Sequence, residues 1–88
     1  MLYKLVYYPK QINADEAISA FQYDASKFTN DIELKFVKER FYCPKHPEII
    51  VWYKIDNSIR AFIKADSLKE AINKLYNLLY EIGGISND

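Results

Sequence analysis

Residues 49–65, IIVWYKIDNSIRAFIKA, constrain this chain more than any other stretch. Two runs rich in Ile, Val, Tyr, Trp and Phe flank Asp56-Asn57-Ser58, the pattern of a β-hairpin. A three-residue loop pairs Ile55 with Ile59, Tyr53 with Ala61 and Val51 with Ile63, which makes one face almost wholly apolar. The other face then pairs Lys54 with Arg60 and Trp52 with Phe62, and brings Ile50 near Lys64. A two-residue loop scrambles both sets, because a slip of one residue sends every side chain to the opposite face. The apolar face therefore favours the three-residue loop, with Asn57 the better fit to a left-handed turn position. The expected product is a platform of Trp52, Phe62, Lys54, Arg60 and Lys64 on one side of a sheet, joined by Lys35 from the preceding strand.

The rest of the chain supplies partners for that hairpin. Residues 2–8 are apolar on both faces, as an interior strand is, and Pro9 ends the run. Residues 13–28 read as a helix. Asn13 and Glu16 make a capping box, and Ala14, Ala17, Ile18, Phe21, Ala25 and Phe28 recur at helical spacing. Tyr23 falls outside that stripe and joins the candidate binding residues. Ile32 to Tyr42 reads as a second strand, with Ile32, Leu34 and Phe36 on one face and a bulge near Phe36-Val37 where the alternation changes phase. A last helix opens at Ser67 with Glu70 three residues on, carries the apolar stripe Leu68, Ala71, Ile72, Leu75, Leu78, Leu79 and Ile82, and stops at Gly83-Gly84. The order βαβββα predicts an α+β fold: a four-stranded mixed or antiparallel sheet with two helices on one face, in a single domain over residues 1–88. The opposite face stays open and carries Trp52 and Phe62.

Composition narrows the function classes. With 88 residues, half of them hydrophobic, the chain suits one core that needs no staples. Twelve basic residues balance twelve acidic ones, so the footprint of a dedicated duplex-DNA binder is missing. No segment is long and apolar enough to span a membrane, and the N-terminal run reads as a strand, not a signal peptide. A single free cysteine, Cys43, fits a reducing, cytoplasmic setting. The wealth of Ile, Lys, Asn and Tyr points to an AT-rich coding genome.

Few residues offer chemistry. Cys43 and His46 have metal-ligand spacing, but a structural zinc site takes four such ligands and the sequence holds no other Cys or His. A polar loop without metal is the expectation. A Cys–His nucleophile pair also needs an oriented base and an oxyanion hole, and no glycine turn or helix start adjoins the loop to supply one. Asp15-Glu16 suits a helix first turn, while Glu33 and Glu39 read as solvent-facing strand residues. No phosphate-binding loop, dinucleotide fingerprint or nucleophile elbow is present.

The aromatic and basic sheet face is then the best functional signal, and it points to binding without catalysis or a cofactor. Trp, Tyr, Phe and Arg are the residues of interface hot spots, and eight tyrosines are more than a core this small can hold. A protein partner is the first expectation, with the chain acting as a regulator or inhibitor of the kind that mobile elements and phages encode. Single-stranded nucleic acid, stacked on Trp52 and Phe62 beside Lys and Arg, is the second. A homodimer closed through the same face is the third.

Overall fold

The computed structural model describes residues 1–9 and 17–83. Strand β1 (Leu2–Tyr7) is buried along both faces and lies inside the sheet, as its apolar pattern requires. Strands β2 (Ile18–Tyr23), β3 (Ile49–Ile55) and β4 (Ser58–Lys64) complete a four-stranded sheet in the order β2-β1-β4-β3. Every pairing is antiparallel. Two α-helices, α1 (Ile32–Phe36) and α2 (Leu68–Glu81), pack on this sheet and give the α+β class.

The expected helix over residues 13–28 is replaced where the structure describes it. Its capping box at Asn13 and Glu16 lies outside the described residues. Ile18–Tyr23 is strand β2, paired residue for residue with β1 from Tyr7↔Ile18 to Leu2↔Tyr23. Spacings of three and four also satisfied helical periodicity, but ISAFQY is rich in β-branched and aromatic residues. A strand there satisfies the backbone groups along the second edge of β1. A 3-10 helix (Ala25–Asn30) follows, opened by Asp24, whose carboxylate accepts the Ser26 N–H at 2.9 Å.

The expected strand over Ile32–Tyr42 is also replaced. Asp31 caps α1 by accepting the Leu34 N–H at 3.0 Å. Glu33 in its first turn and Lys35 in its last complement the helix dipole. A helix cannot bury three alternate residues together. Leu34 and, just past the helix, Val37 turn inward, while Ile32 and Phe36, 71% and 81% exposed, turn out. Residues 38–42 then pass the outer edge of β3, joined to it at one point by paired backbone hydrogen bonds between Phe41 and Trp52 of 2.8 and 3.0 Å. This strap shields a sheet edge that would otherwise be open.

The hairpin forms, in the other register. Its loop is Asp56-Asn57, with Ile55↔Ser58, Tyr53↔Arg60, Trp52↔Ala61 and Val51↔Phe62 as partners. Asp56 takes the left-handed position with φ 55°. A bulge at Ile50 restores the pairing of Ile49 with Ile63. Trp52 and Phe62 therefore point to opposite faces of the sheet, and both rings are covered. Helix α2 covers Tyr3, Leu5, Trp52, Ile59, Ala61 and Ile63 with Ala71, Leu75, Leu78 and Leu79. On the other face Leu34, Val37 and Phe28 cover Leu2, Val51, Tyr53 and Phe62.

Helix α2 begins and ends as its sequence predicts. Ser67 Oγ accepts the Glu70 N–H at 3.2 Å, and the Glu70 carboxylate accepts the Asp66 N–H at 3.0 Å. Gly83 takes φ 75° just past its end. Among the described residues no helix is long and apolar enough to cross a membrane.

Candidate functional site

The structure disperses the residues expected to form one platform. Trp52 is buried under α2 and stacks on Phe41, ring centroids 4.4 Å apart. Phe62 is fully buried on the opposite face, with Tyr23 and Phe28 edge-on to its ring at 5.1 and 4.9 Å. Neither ring is available to stack on a base or to close a homodimer. The expectation failed because hydrophobicity selects a register only where one face is wet; here both faces are dry. Lys64 is exposed at the far end of β4, and Lys54 is exposed near the hairpin tip. Lys35 is exposed on the last turn of α1.

Arg60 and Tyr23 belong to a half-buried polar cluster. Glu33 is its centre and not the solvent-facing residue expected. One carboxylate oxygen accepts the Tyr53 hydroxyl at 2.7 Å, and the other accepts Arg60 at 2.6 Å and Lys4 at 3.4 Å. Burial works to raise the Glu33 pKa, but the Tyr53 and Arg60 hydrogen bonds and the Lys4 and Arg60 charges outweigh it and hold the carboxyl below its ordinary range. The Tyr23 hydroxyl donates to Asp31, and burial together with that carboxylate pushes its pKa up to about 12. Burial and Glu33 raise Tyr53 as well. Every member of this cluster has its partner, and among the described residues no buried side-chain polar atom lacks one. A cluster so satisfied holds α1 on the sheet and leaves no group poised to react.

Among the described residues the three most exposed large apolar side chains, Phe36, Ile32 and Tyr42, all lie on the outer surface of α1 and the strap, ahead of Met1 and Phe21 elsewhere. Ile32 and Phe36 are four residues apart on one helical face. Phe36, Phe41, Lys38, Lys54 and Ile55 line a cleft beside the hairpin tip. Tyr42, next along the strap, is 70% exposed. Lys35, Lys38, Arg40 and Lys54 are exposed around these apolar groups; of the nearby acids, Glu39 and Asp56 are exposed, and Glu33, already paired with Arg60 and Lys4, also lines the cleft. None of these four cations has an ion-pair partner among the described residues. The alternating pattern places Ile32 and Phe36 with Leu34 on one face of a strand. The signal that would have moved them was Asp31 as a cap with Glu33 and Lys35 at the two ends of one helical turn.

The Cys43–His46 loop is better built than its sequence suggests. Pro44 and Pro47 each follow the first residue of a turn closed by a backbone bond: His46 N–H to Cys43 C=O at 3.0 Å, and Ile49 N–H to His46 C=O at 2.9 Å. Both histidine nitrogens face carboxylates, Nε2 at 2.7 Å from Glu81 and Nδ1 at 3.6 Å from Glu48. Neither nitrogen is thereby free to serve the Cys43 thiol as a base.

No known protein family, curated protein or solved structure matches this chain.

Proposed function

We propose that this is a small, non-enzymatic binding protein that regulates or inhibits a protein partner through the surface formed by α1 and the strap. The observation that carries this reading is the exposure of Ile32 and Phe36 at 71% and 81% on one face of a helix that buries Leu34 against the sheet. Contiguous large apolar groups with an aromatic and basic rim are the composition of an interface centre. The surplus of cations selects a partner with an acidic rim around an apolar pocket.

A pull-down from native lysate with nuclease present, using wild type and the double variant Ile32→Glu, Phe36→Lys, tests it. The new acid falls in the first turn of α1 and the new base in its last, where each suits the helix dipole. Stability should therefore change by no more than about 0.5 kcal/mol. The wild type should retain a protein that the variant does not. Retention of the same protein by both would remove the surface from consideration.

Single-stranded nucleic acid is the second reading, because Phe36 and Tyr42 stand exposed among Lys35, Lys38 and Arg40. The two readings separate by salt. Phosphate contacts give a log–log slope of roughly 0.7 per phosphate neutralised, whereas an apolar protein interface responds weakly. We expect no retention of short single strands at about physiological ionic strength. Micromolar binding there, lost in Lys38→Glu with Arg40→Glu, would reverse the order.

A further inference from the structure

We infer that Cys43, His46 and Glu81 form a binding site for one divalent transition-metal ion, best suited to zinc, which ties the Cys43–His46 loop to the end of α2. Sequence spacing gave only two ligands. The fold adds the third from a residue 35 positions further on, by placing the last residue of α2 over the loop. The Cys43 sulfur, a His46 ring nitrogen and a Glu81 carboxylate oxygen all lie within 4.8 Å of one another. Sγ is 4.0 Å and Nε2 2.7 Å from the same Glu81 oxygen.

In a tetrahedral zinc site, bond lengths of about 2.0–2.3 Å place neighbouring ligand atoms roughly 3.3–3.6 Å apart. Each of the two contacts needs to change by only about half an ångström to reach that range. Thiolate, imidazole and carboxylate together select zinc over magnesium or calcium, which take oxygen sets.

Three further features favour a cation there. The two proline turns fix the Cys43 and His46 backbone before any metal arrives, so little ordering is needed on binding. Glu48, 3.6 Å from His46 Nδ1, is placed to orient the imidazole so that Nε2 faces the ion. Glu81 puts a negative charge at the negative end of α2, whose last turn contains no basic residue. An ion at this point neutralises both the carboxylate and the helix end. The three side chains are half-buried or exposed, so water reaches the fourth position. The metal displaces the thiol proton, and affinity therefore falls with falling pH.

Metal titration of the reduced, metal-free protein tests the site. Zinc should bind at one ion per chain in competition with a chromophoric chelator. Cobalt(II) in its place should give the intense visible bands of a tetrahedral ion and a near-ultraviolet thiolate charge-transfer band. Cys43→Ser should abolish that band, and Glu81→Gln should weaken zinc at least tenfold, a loss of the size that removing a metal-site partner causes. Circular dichroism confirms that each variant is folded, and zinc should protect Cys43 of the wild type from alkylation. Absence of stoichiometric zinc, octahedral cobalt without the thiolate band, or unchanged affinity in Glu81→Gln would each overturn the site. One zinc per two chains would overturn it as a single-chain site.

Discussion

Phe62→Ala should destabilise the protein by about 3–5 kcal/mol, the range for an aromatic removed from a packed core. The ring is wholly buried, and the groups packed around it include three from separate elements. Tyr23 of β2 and Phe28 of the 3-10 helix meet it edge-on at 5.1 and 4.9 Å, and Lys4 Nζ of β1 lies 5.7 Å from its centroid. The strand backbones beneath it are held by ladder hydrogen bonds and cannot collapse into the space left behind. A domain of this size is stable by only about 5–15 kcal/mol, so the loss is a large fraction of the total. Trp52→Ala should act similarly, since its ring is buried under α2 and stacked on Phe41. Urea titration measures both. A cost below about 1 kcal/mol for Phe62→Ala would place that ring on an open face and restore the three-residue loop.

The hairpin shows why the fold was more legible than the site. That residues 49–65 form two paired strands follows from their composition, and so does the capped last helix that packs on one side of them. Which residues face which side does not. Alternation carries that information only through a contrast between wet and dry faces. Here α2 dries one side and α1, with the 3-10 helix, dries the other. The turn decides instead: Asp56 accepts φ 55°, and Ser58 turns its hydroxyl back onto the Ile55 carbonyl at 2.7 Å. With that loop, Tyr53 and Arg60 meet across the strands and both reach Glu33. The same ambiguity of period explains Ile32–Phe36. The run IELKF satisfies an alternating strand and a single helical turn equally, and the cap at Asp31 selects the turn. The apolar residues that this choice leaves outside became the candidate interface. Glu81 was invisible as a partner of Cys43 and His46 for a different reason. Its placement depends on where α2 ends relative to a loop 35 residues earlier, and no local pattern encodes that distance.

Glu33→Gln should cost about 2–3 kcal/mol at neutral pH, within the range for hydrogen bonds to charged groups. Glutamine can still accept from the Tyr53 hydroxyl, so the loss falls on Arg60 and Lys4, which keep their charges and lose their counter-charge. The pH dependence separates this from a packing defect. The folded Glu33 carboxyl is held below its unfolded value of 4.5. Its contribution is therefore complete above that value and is lost as pH falls through the lower folded pKa. Wild-type stability should decline as acid is added below about pH 4.5, while the Gln variant should start lower and decline less. Asp31, also held below its ordinary range, keeps some acid dependence in both proteins. A protonated Glu33 is nearly isosteric with glutamine, so the two curves should converge once the wild-type carboxyl is neutral. Urea midpoints measured at intervals between about pH 3 and pH 7 give the comparison. Parallel curves over that interval would show that the Glu33 charge contributes nothing to holding α1 on the sheet.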